Sequence, residues 1–209
     1  MKIMILPLGA LQTNCYVLID EKTKEAVVID PGAEPEKLIR ELQGLKVKAK
    51  AILLTHGHGD HIGAVEALRK ESGAPLYVHE MDASMVKDAN KNFSAMMGAS
   101  FACAEPEHMI KDGDIIEIGE EIKLHVLFTP GHTQGGVCYY EKEEGLLFAG
   151  DTLFAESIGR TDLPGGSYST LIKRIQEKLM VLPDETRVFP GHGPETTVGW
   201  EKDHNPFIR

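Results

Sequence analysis

The sequence predicts an α/β protein in which two sheets pack face to face with helices outside, an αβ/βα sandwich. Three observations carry the prediction. Strands and helices recur in both halves of the chain: a strand set with a helix, then strand, helix and strand, then hairpins and another helix. At 209 residues and 42% hydrophobic content, the chain can bury a full core as one domain, residues 1–209. The stretch Thr55-His-Gly-His-Gly-Asp-His61 lies between an apolar run of strand length, Ala49 to Leu54, and a run of helical spacing, Ile62 to Lys70. It therefore sits on a strand-to-helix loop, where α/β proteins place ligands.

In chain order, Lys2 to Leu6, Asn14 to Ile19 and Glu25 to Ile29 read as strands, the last two joined by a hairpin turn at Asp20-Glu-Thr-Lys. Pro35 to Gln43 reads as a helix with Gly44 past its end. Leu76 to Val78 is a strand and Glu80 to Ala89 a helix. Between Asn90 and Glu107, Phe93, Met96, Met97 and Phe101 give an apolar stretch without periodicity, expected as a covering loop with a short helix; an adaptable lid is the functional alternative. Ile115 to Ile118 and Ile122 to Phe128 are strands, and Gly136 to Glu141 pairs with Leu146 to Ala149 as a hairpin. Leu171, Ile172, Ile175 and Leu179 mark an amphipathic helix over Ser167 to Met180, capped by Ser or Thr. Arg187 to Phe189 is the last strand before a final short helix.

A net charge of -10 without any Lys/Arg-rich block excludes a phosphate-backbone partner. Pro7 and Gly9 interrupt the opening apolar run, so no secretory signal is expected, and no stretch reaches the ~20 apolar residues of a membrane span. Cys15, Cys103 and Cys138 are odd in number and far apart, which points to a reducing compartment. The expected setting is the cytoplasm, with a small-molecule substrate and neither membrane nor nucleic-acid partner.

The chemistry concentrates in the histidines. Three imidazoles within six positions serve no core or surface purpose, and His-x-His-x-Asp-His reads as metal-binding. Gly57 and Gly59 alternate with the candidates and are expected to let the backbone adopt special dihedrals near an ion. His56 and His58 can point to one side while Asp60 and His61 point to another, so two neighbouring ions are expected. His132, Asp151 and His192 each follow a strand in a Gly-rich turn, Pro-Gly-His-Thr, Ala-Gly-Asp-Thr and Pro-Gly-His-Gly. Together these supply five His and two Asp, a donor set suited to zinc, with iron or manganese as alternatives. His79, His108, His125 and His204 read as structural or exposed.

On Asn14-Cys-Tyr, Thr55 to His61, Gly131-His-Thr133, Gly150-Asp-Thr-Leu-Phe154 and Gly191-His-Gly193, the chain resembles the metallo-β-lactamase-fold hydrolases. Within them it resembles the glyoxalase II (hydroxyacylglutathione hydrolase) group, in its short bacterial form. The resemblance implies the four-layer αβ/βα sandwich of that family. It also implies one divalent metal held by His56, His58 and His132, a second by Asp60, His61 and His192, and Asp151 bridging. The implied reaction is thioester hydrolysis, S-D-lactoylglutathione being the expected substrate, with Asp60 also orienting the water. A Cys in place of Asp151 would have pointed to a β-lactamase.

The larger glyoxalase II enzymes carry a C-terminal helical extension that grips glutathione, whereas here Gly193 to Arg209 follow the last donor. Instead, Ser157 to Ser167 follows the bridging Asp, and Arg160 within it either meets a substrate carboxylate or pairs with Asp162; the structural pair is favoured. A mononuclear iron persulfide dioxygenase, a hydrolase of another ester or lactone, and a non-catalytic metal-binding module are the competing readings.

Overall fold

The computed structural model describes residues 1–208, and their order is strand-rich throughout. β1 (Lys2–Leu8), β2 (Thr13–Ile19) and β3 (Glu25–Ile29) run antiparallel. Helix α1 (Pro35–Gly44) then crosses to β4 (Lys48–Leu53), parallel to β3. α2 (Gly59–Ile62) and α3 (Val65–Ser72) lead to β5 (Leu76–His79), and α4 (Ala83–Val86) precedes β6 (His108–Ile110). The six strands form one sheet in sequence order, β3 to β6 all parallel.

The second sheet is built from β7 (Ile115–Ile118), β8 (Ile122–Phe128), β9 (Val137–Glu141), β10 (Leu146–Gly150), β13 (Arg187–Pro190) and β14 (Thr196–Thr197). A two-stranded ribbon, β11 (Leu153–Phe154) with β12 (Ser157–Ile158), stands apart from it. α5 (Tyr168–Arg174) continues as a π turn over Ile175–Leu179, and α6 (Val198–His204) ends the described chain.

Period-2 alternation sorts the side chains into layers. On β2, Cys15, Val17 and Ile19 face outward onto Leu38 and Leu42 of α1 and Val65 and Leu68 of α3. Tyr16 and Leu18 face inward, where they meet Val126, Tyr139, Phe148 and Phe189 of the other sheet. The far face of that sheet, Cys138, Tyr140, Leu147 and Val188, packs under Leu171, Ile175 and Leu179. Helix, sheet, sheet, helix is the four-layer αβ/βα sandwich. The central strands β2, β3, β9 and β10 are buried on both faces, which is why they read as continuous apolar runs, while β1, β6 and β7 at the sheet edges keep exposed residues.

Three expected elements differ. The expected helix Ile62 to Lys70 breaks at Gly63 and Ala64, whose N–H groups donate to Gly32 O at 3.0 Å and Pro31 O at 2.9 Å instead of within a helix. The helix expected from Glu80 to Ala89 shrinks to the single turn of α4, because buried Asp82 spends both carboxylate oxygens on neighbouring loops. The helix from Ser167 is present and Ser167 caps it by accepting from Thr170 N at 3.4 Å, but its second half is a π turn. β6, β11, β12 and β14 are too short to show a period, and β6 carries the exposed His108 stacked on Tyr77.

The end of the sandwich away from the candidate motif is tied by Asp20. Its carboxylate accepts from Lys22 N at 2.8 Å, Thr23 N at 2.9 Å and Glu121 N at 3.0 Å, and also from Glu120 N, so the β2–β3 hairpin of one sheet is bound to the β7–β8 turn of the other. Desolvation alone would raise its pKa, but four backbone N–H donors outweigh that and hold it below the usual carboxylate range. The folded value is thus below the unfolded one, and the stability it contributes is present above about pH 4 and lost as pH falls through the folded value. Replacing Asp20→Asn is expected to lower the melting temperature at pH 7 and to flatten the acid limb of the stability curve, measured by thermal melts between pH 3 and 7.

Candidate metal centre

All seven candidate donors converge at one end of the sandwich. β3, β4 and β5 run parallel, and β8, β10 and β13 share one direction in the second sheet, so their carboxyl ends gather there. His56, His58, Asp60 and His61 follow β4, His132 follows β8, Asp151 follows β10 and His192 follows β13. The two sheets are joined beneath them: Val137 N donates to Thr55 O at 2.8 Å and Tyr139 Oη to Leu54 O at 2.7 Å.

Donor atoms that lie within 4.8 Å of one another form three overlapping groups: His56, His58 and His132; Asp60, His61 and His192; and Asp151 with His56 and His61. His132 Nε2 is 3.0 Å from His58 Nδ1 and 3.3 Å from His56 Nε2. His192 Nε2 is 3.2 Å from Asp60 Oδ2, and His61 Nε2 is 3.7 Å from the same oxygen. Asp151 stands between the groups, with Oδ1 3.5 Å from His61 Nε2 and Oδ2 3.7 Å from both His132 Nε2 and His192 Nε2.

The outer nitrogens fix which way the inner lone pairs face. His132 Nδ1–H donates to Arg160 O at 2.8 Å, so its unprotonated Nε2 faces the cluster, and His192 Nδ1–H donates to Leu11 O at 3.1 Å, which turns its Nε2 toward Asp60. His56 Nδ1 is 3.1 Å from Thr55 Oγ1, whose proton goes to Asp30 Oδ2 at 2.6 Å; the ring therefore donates from Nδ1 and its Nε2 also faces inward. His61 Nδ1 lies 3.0 Å from Asp30 Oδ2, though not aligned for a hydrogen bond. His132 Nε2 thus faces His56 Nε2 across 3.3 Å and Asp151 Oδ2 across 3.7 Å with no proton between them. His61 Nε2 and Asp151 Oδ1 are buried with no hydrogen-bond partner, an arrangement that costs free energy unless a cation lies between such groups. The donor set fits a dimetal site.

The two ends of the cluster differ electrostatically. Burial, reinforced by the neighbouring imidazoles, depresses His56 well below its ordinary value and brings His58 down to about 3, which keeps both neutral. At the other end burial also acts to lower His61, but Asp60, Asp30 and Asp151 override it and raise its pKa; at His192 the Asp60 and Asp151 carboxylates do the same. Asp60 and Asp151 themselves are pulled down despite burial, chiefly by His61.

Two carboxylates that the sequence reading passed over brace the donors. Asp30, in the left-handed region at φ 51°, accepts from Thr55 N at 2.8 Å as well as from its hydroxyl. Asp82, fully buried, accepts from Gly57 N at 3.0 Å, Thr133 Oγ1 at 2.7 Å and Gly135 N at 2.7 Å, clamping the loop of His56 and His58 to that of His132. Asp30 carried a usable signal, a carboxylate directly after an apolar strand, as at Asp151. Asp82 carried none. Asn14 of β2 secures the third loop: its N–H donates to Gly191 O at 2.7 Å and its amide to Pro190 O at 3.1 Å and Gly193 O at 3.0 Å.

The glycines of the motif have a different purpose from the expected one. Neither Gly57 nor Gly59 has a positive φ. A Cβ on Gly59 would lie 2.7 Å from Ser94 Cβ, so the position must be bare to admit the 90s loop. At Gly191 a Cβ would fall 2.2 Å from Asp151 Oδ1 and 2.8 Å from His61 Cε1, inside the cluster itself.

Above the donors opens a cavity of about 280 Å³ walled by Leu11, Phe93, Met96, Met97 and Leu163. The 90–107 stretch supplies three of those five side chains and includes the expected short helix, a 3₁₀ turn at Ser94–Met97. It is anchored from below: Gly59 N donates to Asn92 O at 2.7 Å, and Ser94 N to Asn92 Oδ1 at 3.0 Å. It is a fixed wall. Arg160 also borders the cavity, but its guanidinium makes a bidentate pair with Asp162, Nε–Oδ1 2.8 Å and NH2–Oδ2 2.9 Å, the favoured alternative. His79, His108, His125 and His204 take no part in the donor groups found among the described residues; His79 is buried against Phe128 with ring centroids 4.2 Å apart.

A four-layer sandwich with convergent His and Asp donors at one end of its sheets defines a metal-dependent hydrolase. The Metallo-beta-lactamase superfamily model matches residues 8–192, and the chain belongs to that superfamily. It is 42% identical to the probable metallo-hydrolase YqgX of Bacillus subtilis, covering 100% of this chain and 98% of that one. It is 37% identical to the hydroxyacylglutathione hydrolase GloC of Haemophilus influenzae, again over 100% and 98%. Among solved structures it is similar to the BLEG-1 B3 metallo-β-lactamase (44% identity, TM-score 0.93, 99% of each chain). It is also similar to TTHA1623 in a di-iron-bound form (38%, 0.87, 98% and 99%) and to ETHE1 from Myxococcus xanthus (32%, 0.81, 99% and 84%). No described helix is long and apolar enough to cross a membrane.

Replacing Asp82→Ala strands three buried donors of two donor loops. We expect a loss of about 3 kcal/mol or more, read from urea unfolding, together with weakened metal retention on dialysis.

Proposed function

We propose that the chain is a binuclear thioester hydrolase of the glyoxalase II kind, acting on S-D-lactoylglutathione or a related hydroxyacyl thioester. In this reading His56, His58 and His132 hold one divalent cation, Asp60, His61 and His192 hold the other, and Asp151 serves both; zinc is the first candidate metal. The observation that carries it is the central place of Asp151, whose two oxygens face histidines of both groups. The similarity to the GloC hydrolase, spanning the whole chain, supports the substrate class. The di-iron form of TTHA1623 makes iron the second candidate.

Two divalent cations held by these residues would supply a water of lowered pKa and a positive field at the carbonyl oxygen. The chain's own groups do the rest. Asp60 is held by Thr13, whose hydroxyl donates to Oδ2 at 3.4 Å, and its carboxylate borders the cavity, where it accepts a hydrogen bond from the water and aims the oxygen at the carbonyl carbon. Hydrolysis forms a C–O bond and breaks the C–S bond. Sulfur leaves with the bonding pair as a thiolate, which needs little acid assistance, and takes up a proton as the new carboxylic acid ionises. Phe93, Met96 and Met97 give the cavity an apolar side facing the donors.

The test is hydrolysis of S-D-lactoylglutathione with metal content measured on the same sample. Turnover with about two metals per chain is the expected result, and Asp151→Ala is expected to lower it more than about a hundredfold while releasing metal. One iron per chain, no hydrolysis, and oxygen consumed with glutathione persulfide would replace this reading by a dioxygenase. Cleavage of a β-lactam without thioester hydrolysis would replace it by a lactamase.

A further inference from the structure

The cavity at the donor cluster adjoins two others that differ in their polar side chains. On one side, a second cavity of about 280 Å³ adjoins the first through Leu11, Asp60 and Met97 and is otherwise walled chiefly by carbon, from Leu8, Ala33, Ala99 and Phe101. Its polar side chains, Thr13 and Asp60, are both at the donor end. On the other side, a groove of about 330 Å³ adjoins through Phe93; Met81, Met85 and Pro164 line part of it, and Ser84, Asn90, Lys91 and Gln134 supply it with polar side chains that the carbon-walled cavity has only at its donor end. The rim between them exposes large apolar side chains, Leu11 at 55%, Met97 at 47% and Met96 at 82%. Exposed carbon around a cleft marks where an apolar ligand is covered.

Resting on the hydrolase reading above, we propose that the cavity of Leu8, Ala33, Ala99 and Phe101 is the acyl subsite, and that the preferred substrates are thioesters with an apolar acyl chain longer than lactoyl. The difference in polar side chains assigns the two arms. With the thioester carbonyl at the donors, a thiol carrier bearing carboxylates and amides finds partners at Lys91, Asn90 and Gln134, whereas in the carbon-walled cavity those groups would be buried without hydrogen bonds. A hydroxyl beside the carbonyl reaches only as far as Thr13 and Asp60. Beyond them the cavity rewards methylenes, and the flexible thioether of Met97 adapts to their length.

The test compares S-hexanoylglutathione with S-propionylglutathione and S-D-lactoylglutathione on the zinc-loaded chain. Expected is a kcat/KM at least about tenfold higher for hexanoyl than for propionyl, carried by three more buried methylenes. Ala99→Phe and, independently, Ala33→Leu fill the cavity, and each is expected to reverse that ratio; two positions guard against one variant misfolding. As a readout apart from turnover, hexanoate is titrated into alanine-methyl-labelled protein, and the Ala33 and Ala99 methyl resonances are expected to shift. Equal rates for hexanoyl and propionyl with unshifted methyl resonances overturn the subsite while leaving the hydrolase reading intact. Hexanoate binding at Ala33 and Ala99 without hydrolysis of any thioester supports the subsite and removes the thioesterase reading.

Discussion

Everything at the working end of this molecule depends on holding electron-pair donors together against their own repulsion. Five imidazoles and two carboxylates occupy a space in which neighbouring donor atoms are 3.0–3.7 Å apart, and the innermost of them, His61 Nε2 and Asp151 Oδ1, have no hydrogen-bond partner. Such a set does not assemble from flexible loops. Each loop is short, begins at a strand end and is fastened by a group outside the cluster: Asp30 for Thr55 and His56, Asp82 for the loops of His58 and His132, Asn14 for that of His192. The four-layer architecture serves this purpose, because two sheets whose central strands are buried on both faces give the strand ends a rigid footing.

The same construction makes the centre electrically uneven. His56 and His58 at one end are stripped of water and repelled by the neighbouring imidazoles, so they stay neutral. Asp60, Asp151 and Asp30 gather at the other end and pull His61 toward the protonated state. Cations in two such environments are not equivalent. The all-nitrogen end is the softer donor set, and the end with carboxylates carries the negative charge that offsets a second ion.

The seven donors were legible in the sequence for two different reasons. His56, His58, Asp60 and His61 are local, and their density has no other use. His132, Asp151 and His192 showed themselves through a shared grammar, an apolar strand closed by a glycine turn, although nothing in the sequence says that their strands point the same way. The fold class was legible from apolar runs, whose continuity reflects sheets covered on both sides. What could not be read were elements shaped by single tertiary contacts. The helix at Glu80 to Ala89 yields because Asp82 serves neighbouring loops, and the helix after Ile62 breaks because Gly63 and Ala64 bond to the Pro31–Gly32 turn. The glycines of the motif were noticed, but their role is clearance and not torsion, which depends on where Met85 and Ser94 come to rest.

The contact between Gly59 and Ser94 bears on the mouth of the cavity. The wall over the metal centre stands on Asn92 and Ser94, both buried and hydrogen-bonded, while Phe93, Met96 and Met97 project from that footing without entering the core beneath. Footing and façade are thus held by different contacts. Exchanging Met96 or Met97 would reshape the mouth of the cavity and leave the footing's hydrogen bonds in place, whereas Phe93, its ring 5.4 Å from that of His58, ties the façade to the donors.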